Sequence, residues 1–130
     1  MANDADLKEA QAFIADHVTS AEQLEVLLLL HGNPGTEFTA AEVSQRVYTV
    51  PAAATLRLEQ LVLAGLLSSD GAADPHYRYA PRSSRLAERV DALARAYRAD
   101  RVGVIRFIFA KPVDPLRSFA DAFRLKKPGE

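Results

Sequence analysis

The side chains able to do chemistry in this sequence are few and scattered. Its three histidines, His17, His31 and His76, stand far apart with no second ligand at metal-binding spacing, and cysteine is absent. Metal sites need several such ligands converging at short, regular intervals, so neither a metal nor a thiolate nucleophile is expected. No histidine is set with a serine and an acid in the manner of a nucleophilic triad. Gly32-Asn-Pro-Gly35 lacks the lysine and following helix of a phosphate-binding loop and reads as a turn. Glu22 and Glu25, three apart, read as solvated helix surface. What remains is the chemistry of binding: the sequence predicts no enzyme, no metal and no cofactor.

The composition bounds the scaffold that must position any binding surface. With 130 residues, 48% hydrophobic and 25% charged, the chain is long enough for one domain with an appendage. Its formal net charge of −1 conceals an asymmetry. Up to Pro81 four basic residues face eleven acidic ones, whereas from Arg82 onward twelve basic residues face six acidic. Opposed halves point to a charged partner or to self-association; two solvated surfaces are the alternative. The first ten residues are acidic where a signal peptide would be positive. The longest apolar run, Val26 to Leu30, falls far short of the roughly 20 residues of a membrane span. A cytoplasmic protein with no membrane span is expected.

Periodicity and caps predict the elements. Leu7, Ala10, Phe13, Ile14 and His17 share one face of a first helix, about Asp4 to Val18. Thr19 or Ser20 opens a second, nearly apolar helix through Leu24 and Val26 to Leu30, which must be central. Thr39 with Glu42 forms a capping box for a short helix through Val47, followed by the turn Tyr48-Thr49-Val50. Pro51 opens the next helix, which stops near Gly65 and runs into two short strands around Asp70-Gly71. A long helix then runs from Ser83 or Ser84 to about Phe109. Leu86, Val90, Leu93 and Tyr97 alternate at spacings of four and three like a short coiled-coil seam, and Val104, Ile105 and Ile108 add a more apolar end. Beyond Pro112 and Pro115, Ser118 caps a final turn carrying Phe119 and Phe123 at i and i+4, ahead of a basic tail.

The order helix, strand, turn, strand, with Leu58, Leu61, Gly65, Leu66 and Leu67 as a Leu-x-x-Leu-x-x-x-Gly-Leu-hydrophobic run, resembles the recognition helix and wing of winged helix-turn-helix transcriptional regulators. The resemblance covers roughly residues 20–81. It implies a mainly α fold with a small β-hairpin wing, a winged-helix domain with its N-terminal helix over residues 1–81, and a C-terminal dimerisation helix and basic tail over 82–130. It further implies that Glu37-Phe38-Thr39 supplies a short first strand, and that the Pro51 helix enters a DNA groove while the wing touches neighbouring backbone.

Two functions follow from different classes. In the first, implied by the resemblance, the chain is a homodimeric DNA-binding regulator of low sequence selectivity. Thr39, Arg46, Thr55, Arg57, Gln60, Arg78 and Arg82 then contact double-stranded DNA, mostly at phosphates, and Leu86, Val90, Leu93, Tyr97, Val104, Ile105 and Ile108 join two copies. In the second, the winged helix is a protein-interaction module. The helix face opposite Ala54, Leu58 and Leu61 holds Ala52, Leu56, Glu59 and Leu63, apolar where base readout wants polar side chains and acidic where phosphates lie. Leu56, Leu63, Phe119 and Phe123 would then dock a protein partner or a segment of the chain itself.

Overall fold

The computed structural model describes residues 3–110. Along the chain run α1 (Asp4–His17), α2 (Ala21–His31), α3 (Ala40–Arg46), α4 (Pro51–Leu63), β1 (Leu67–Ser69), β2 (Tyr77–Tyr79), α5 (Ser84–Ala99) and α6 (Arg101–Ala110). The expected mainly helical fold with a two-stranded wing is therefore observed. Among the described residues no helix is long and apolar enough to cross a membrane.

Local chemistry sets most boundaries. The Asn3 side chain accepts from the Asp6 N–H, that of Ser20 from Gln23 and that of Ser83 from Leu86, each satisfying a backbone donor that the first turn leaves open. Thr39 and Glu42 cap each other reciprocally, as their spacing implies. At the end of α4 the Leu66 N–H reaches the Leu61 carbonyl and the Gly65 N–H that of Val62, a Schellman closure that needs a left-handed residue at Gly65 (φ 81°). A Cβ there would also meet the Arg82 side chain at 2.9 Å. The turn sends the chain straight into β1, which pairs antiparallel with β2 in the register Leu67 with Tyr79 and Ser69 with Tyr77. Phe38 adds a single bridge to Tyr77, exchanging two 2.8 Å hydrogen bonds, where a short first strand is expected of Glu37-Phe38-Thr39; pairing stops at that one residue.

One core joins these elements. Leu24, Val26, Leu27 and Leu30 of α2 are fully buried with Phe13 and Ile14 of α1, Leu58 and Leu61 of α4, Leu66, Tyr77, and Val90 and Leu93 of α5. On α1, Leu7 stays partly exposed, whereas Ala10, Phe13 and Ile14 are buried as their spacing implies.

The C-terminal arm departs from expectation. The single helix from Ser84 to Phe109 is two helices, because Asp100 (φ −153°, ψ 75°) ends α5 and its carboxylate accepts from the Gly103 N–H to begin α6. Gly103 permits this: a Cβ there would meet that carboxylate at 2.2 Å. The expected seam is also largely internal. Val90, Leu93, Val104 and Ile108 are buried within the chain, while Leu86, Tyr97 and Ile105 keep part of their surface. α5 packs on α1, so the expected boundary after Pro81 separates two helices that share one core.

The same packing resolves the charge asymmetry inside the molecule. Asp6 accepts twice from Arg95 (2.9 and 3.0 Å), Glu9 binds Arg85 and Arg89, Asp16 binds Arg89, and Glu25 binds Arg101. The acidic half thus meets the basic half of its own chain, which the charge count alone does not reveal.

Arg95 beside Asp6 and Arg89 beside Glu9 hold both carboxyl groups below their usual range. A depressed folded-state pKa stabilises above the unfolded value and loses that contribution as pH falls through the folded value. The thermal midpoint is therefore expected to hold down to about pH 5 and to fall below about pH 4. Asp6→Asn should lower the midpoint at neutral pH and flatten that acid limb, as calorimetry across pH would register. Asp100→Ala should cost about 1 kcal/mol in urea unfolding through the lost α6 cap.

Candidate nucleic-acid interface

α3, the turn Tyr48–Val50 and α4 form a helix-turn-helix, with the β1–β2 wing following directly. α4 buries Ala54, Leu58 and Leu61, leaving Ala52, Thr55, Leu56 and Glu59 outward. Leu56 is 52% exposed and Leu63 84%, so both keep at least half of their surface open. The outward face is apolar, as the sequence predicts, with Thr55 as its one neutral polar side chain.

The seven expected nucleic-acid contacts divide into two groups. Three are engaged in holding the fold. The Thr39 side chain caps α3. Arg57 donates to Glu22 of α2 at 2.8 Å and so braces α4 on α2, while the Gln60 side-chain oxygen, 3.4 Å from the same guanidinium, supports Arg57 from within α4. The other four stay open. Thr55 is exposed on α4 and Arg78 on β2. Arg46 is exposed at the end of α3, its guanidinium 5.5 Å from the Phe38 ring centre. Arg82 is exposed beside Gly65. Among the described residues none of Arg46, Arg78 and Arg82 forms an ion pair with a carboxylate. Alternation along β2 sends Arg78 away from the face on which Tyr77 and Tyr79 pack inward.

Glu59 faces outward but is tethered at one oxygen. It accepts a hydrogen bond from the Tyr77 hydroxyl and thereby ties α4 to the wing. Burial first, then this carboxylate, push the Tyr77 phenol up to about 12. The neutral phenol leaves the Glu59 charge in place on the exposed face of α4, where the sequence expects it. At the wing tip Asp70 turns into its own loop: one carboxylate oxygen accepts from the Ala72 and His76 N–H groups (3.0 and 3.1 Å), and the other lies 3.4 Å from the His76 ring. The two backbone donors hold the Asp70 carboxyl below its usual range.

Three features escape a reading of the sequence. Tyr48, in the helix-turn-helix turn, is left-handed (φ 59°) and 94% exposed. Bulky residues rarely adopt that conformation, and nothing in the local sequence signals it beyond the predicted turn. His31 of α2 meets Asp91 of α5 at 2.9 Å and the Tyr79 ring edge-on at 5.2 Å, a junction of residues far apart in sequence. The Tyr79 hydroxyl is buried there without a hydrogen-bond partner among the described residues, and its phenol is pushed up to about 12, mainly by burial. Among the described residues no cluster of potential ligands could hold a metal ion. The expected docking residues Phe119 and Phe123 lie outside the described residues.

Because Leu56 and Leu63 are exposed, replacing either with Ser should leave unfolding free energy within about 0.5 kcal/mol. Leu58→Ala, inside the same helix, should cost about 2–5 kcal/mol. Parallel urea melts separate the outward face from the buried one.

No family model matches the sequence, and no curated protein matches it either. Solved structures do match in three dimensions. A multiple antibiotic-resistance repressor (MarR) from Listeria monocytogenes shares 18% identity at a TM-score of 0.50, over 95% of this chain and 80% of that one. A MarR family protein from Mycobacterium tuberculosis shares 20% at 0.50, over 95% and 86%. A variant of MepR from S. aureus, solved bound to an oligodeoxyribonucleotide, shares 11% at 0.54, over 94% and 86%. The chain thus has the winged helix-turn-helix fold of the MarR-type regulators.

Proposed function

We propose that this protein is a DNA-binding transcriptional regulator and not an enzyme, acting on duplex DNA with low sequence selectivity. The observation that carries this reading is the set of cations left open around the helix-turn-helix and wing. Arg85, Arg89, Arg95 and Arg101 are taken up by carboxylates within the chain, whereas Arg46, Arg78 and Arg82 pair with none among the described residues. The likeness over 94% of the chain to a protein solved with an oligodeoxyribonucleotide supports the same role. Affinity then comes from phosphates, since α4 offers Thr55 alone for base readout.

Such a regulator works as a homodimer, which presents two recognition helices to successive turns of DNA. With Val90, Leu93, Val104 and Ile108 inside the core, Leu86, Tyr97 and Ile105 are the seam residues that keep surface open to a second copy. The protein-module reading keeps one specific observation in its favour, the uncovered Leu56 and Leu63 on α4.

A salt titration of binding to random duplex DNA tests the proposal. A log–log slope equivalent to several phosphates is expected. Arg78→Ala should weaken binding equally across sequences and reduce the slope by about 1 per protomer. Asp70→Lys or Asp74→Lys should strengthen binding. Absence of binding at low salt would leave the protein-module reading in its place, and light scattering that finds only monomer would remove the dimer.

A further inference from the structure

Apolar groups occupy the outward face of α4 where donors and acceptors would be needed to read bases by hydrogen bonds. Ala52, Thr55 and Leu56 are all exposed near its N-terminal end, and Thr55 carries a methyl group beside its hydroxyl. Ala52 and Leu56 stand at i and i+4 with Thr55 next to them, so the three make one continuous patch. Its length along the helix is about 6 Å, close to the rise of about two base-pair steps. Glu59, tethered to Tyr77, follows one turn on, and Leu63 stands at the far end of the helix.

The elements that pack on α4 carry free cations. Arg46 ends α3, Arg78 lies on β2 and Arg82 follows the wing, all three exposed and paired with no carboxylate among the described residues. Charge complementarity therefore favours a polyanion as the occupant of this face, and the patch requires that it also present apolar groups. Duplex DNA presents one such group on its base edges, the 5-methyl group of thymine. That methyl projects into the major groove, where the N-terminal residues of a recognition helix meet the bases and where alanine and the threonine methyl pack against it.

We propose, on the DNA-binding reading above, that Ala52, Thr55 and Leu56 select thymine by covering its 5-methyl group in the major groove, so that the protein prefers duplexes rich in A·T pairs. The arginines hold phosphates of any sequence, and the methyl contacts add the preference. Burying one methyl group corresponds to a factor of about four in affinity, a small discrimination per base that accords with low selectivity. The exposed Leu56 acquires a ligand without a second protein.

Replacing every thymidine of an A·T-rich duplex by deoxyuridine removes the 5-methyl groups and keeps every phosphate and every hydrogen-bonding group. The full-length protein should bind the thymine duplex several-fold more tightly than its uracil counterpart. The log–log salt slope should be the same for both, since no phosphate contact changes. Leu56→Ser should bind the two duplexes nearly equally, whereas Leu63→Ser should keep the wild-type preference. Both leucines are exposed, and urea melts verify that both variants fold. Equal wild-type affinity for the thymine and uracil duplexes would overturn the proposal and leave the DNA-binding reading standing, as would an undiminished preference in Leu56→Ser. Absence of binding to either duplex at low salt would overturn both.

Discussion

The apolar run of α2 is the constraint around which the molecule is arranged. A helix that buries Leu24, Val26, Leu27 and Leu30 exposes too little polar surface to lie against water, so other elements must cover it. Its few polar residues serve as fasteners to those covers. Glu22 holds Arg57 of α4, Glu25 holds Arg101 of α6, and His31 holds Asp91 of α5 while its ring meets Tyr79 of β2. α4, the wing and the arm are each fixed to one hub.

This arrangement governs what is left for binding. Arg57 faces inward along α4 and therefore braces rather than reads, and Glu59 is committed to Tyr77. The helix-turn-helix keeps its orientation toward the wing through that hydroxyl and through the two backbone bonds between Phe38 and Tyr77. Rigidity of the unit is thus obtained with polar side chains that a sequence-selective reader would otherwise turn toward bases. Under the proposed DNA-binding role, few free polar groups and several unpaired arginines favour phosphate contact over base contact.

The arm shows how charge and packing act together. α1 and α5 bury Phe13 and Leu93 between them, and the Asp6–Arg95, Glu9–Arg89 and Asp16–Arg89 pairs line the edges of that contact. Each pair is partly solvated and so contributes modestly alone. Together they favour one pairing of helices, since each joins the acidic α1 to the basic α5. Arg89 also lies 5.4 Å from the Phe13 ring centre, joining the polar edge to the apolar contact.

Short-range signals were sufficient for most of the secondary structure. Ser20, the Thr39–Glu42 box, Pro51 and Gly65 act within a turn of their own positions, so their consequences are written locally and the helices begin and end near where those residues stand. The buried stripe Ala54, Leu58 and Leu61 and the apolar outward face of α4 were equally legible, because helical period alone separates them. Tertiary structure decided the rest. A seam of Leu86, Val90, Leu93 and Tyr97 is the same pattern whether it meets a second copy or α1, and only the fold brings α1 within reach of α5. The break at Asp100 depends on a carboxylate folding back over Gly103, a conformation that composition does not specify. The fates of Arg57, Glu59 and His31 were undetermined for the same reason: each partner is 18 or more residues away, and long-range pairing of charges is set by packing rather than by spacing.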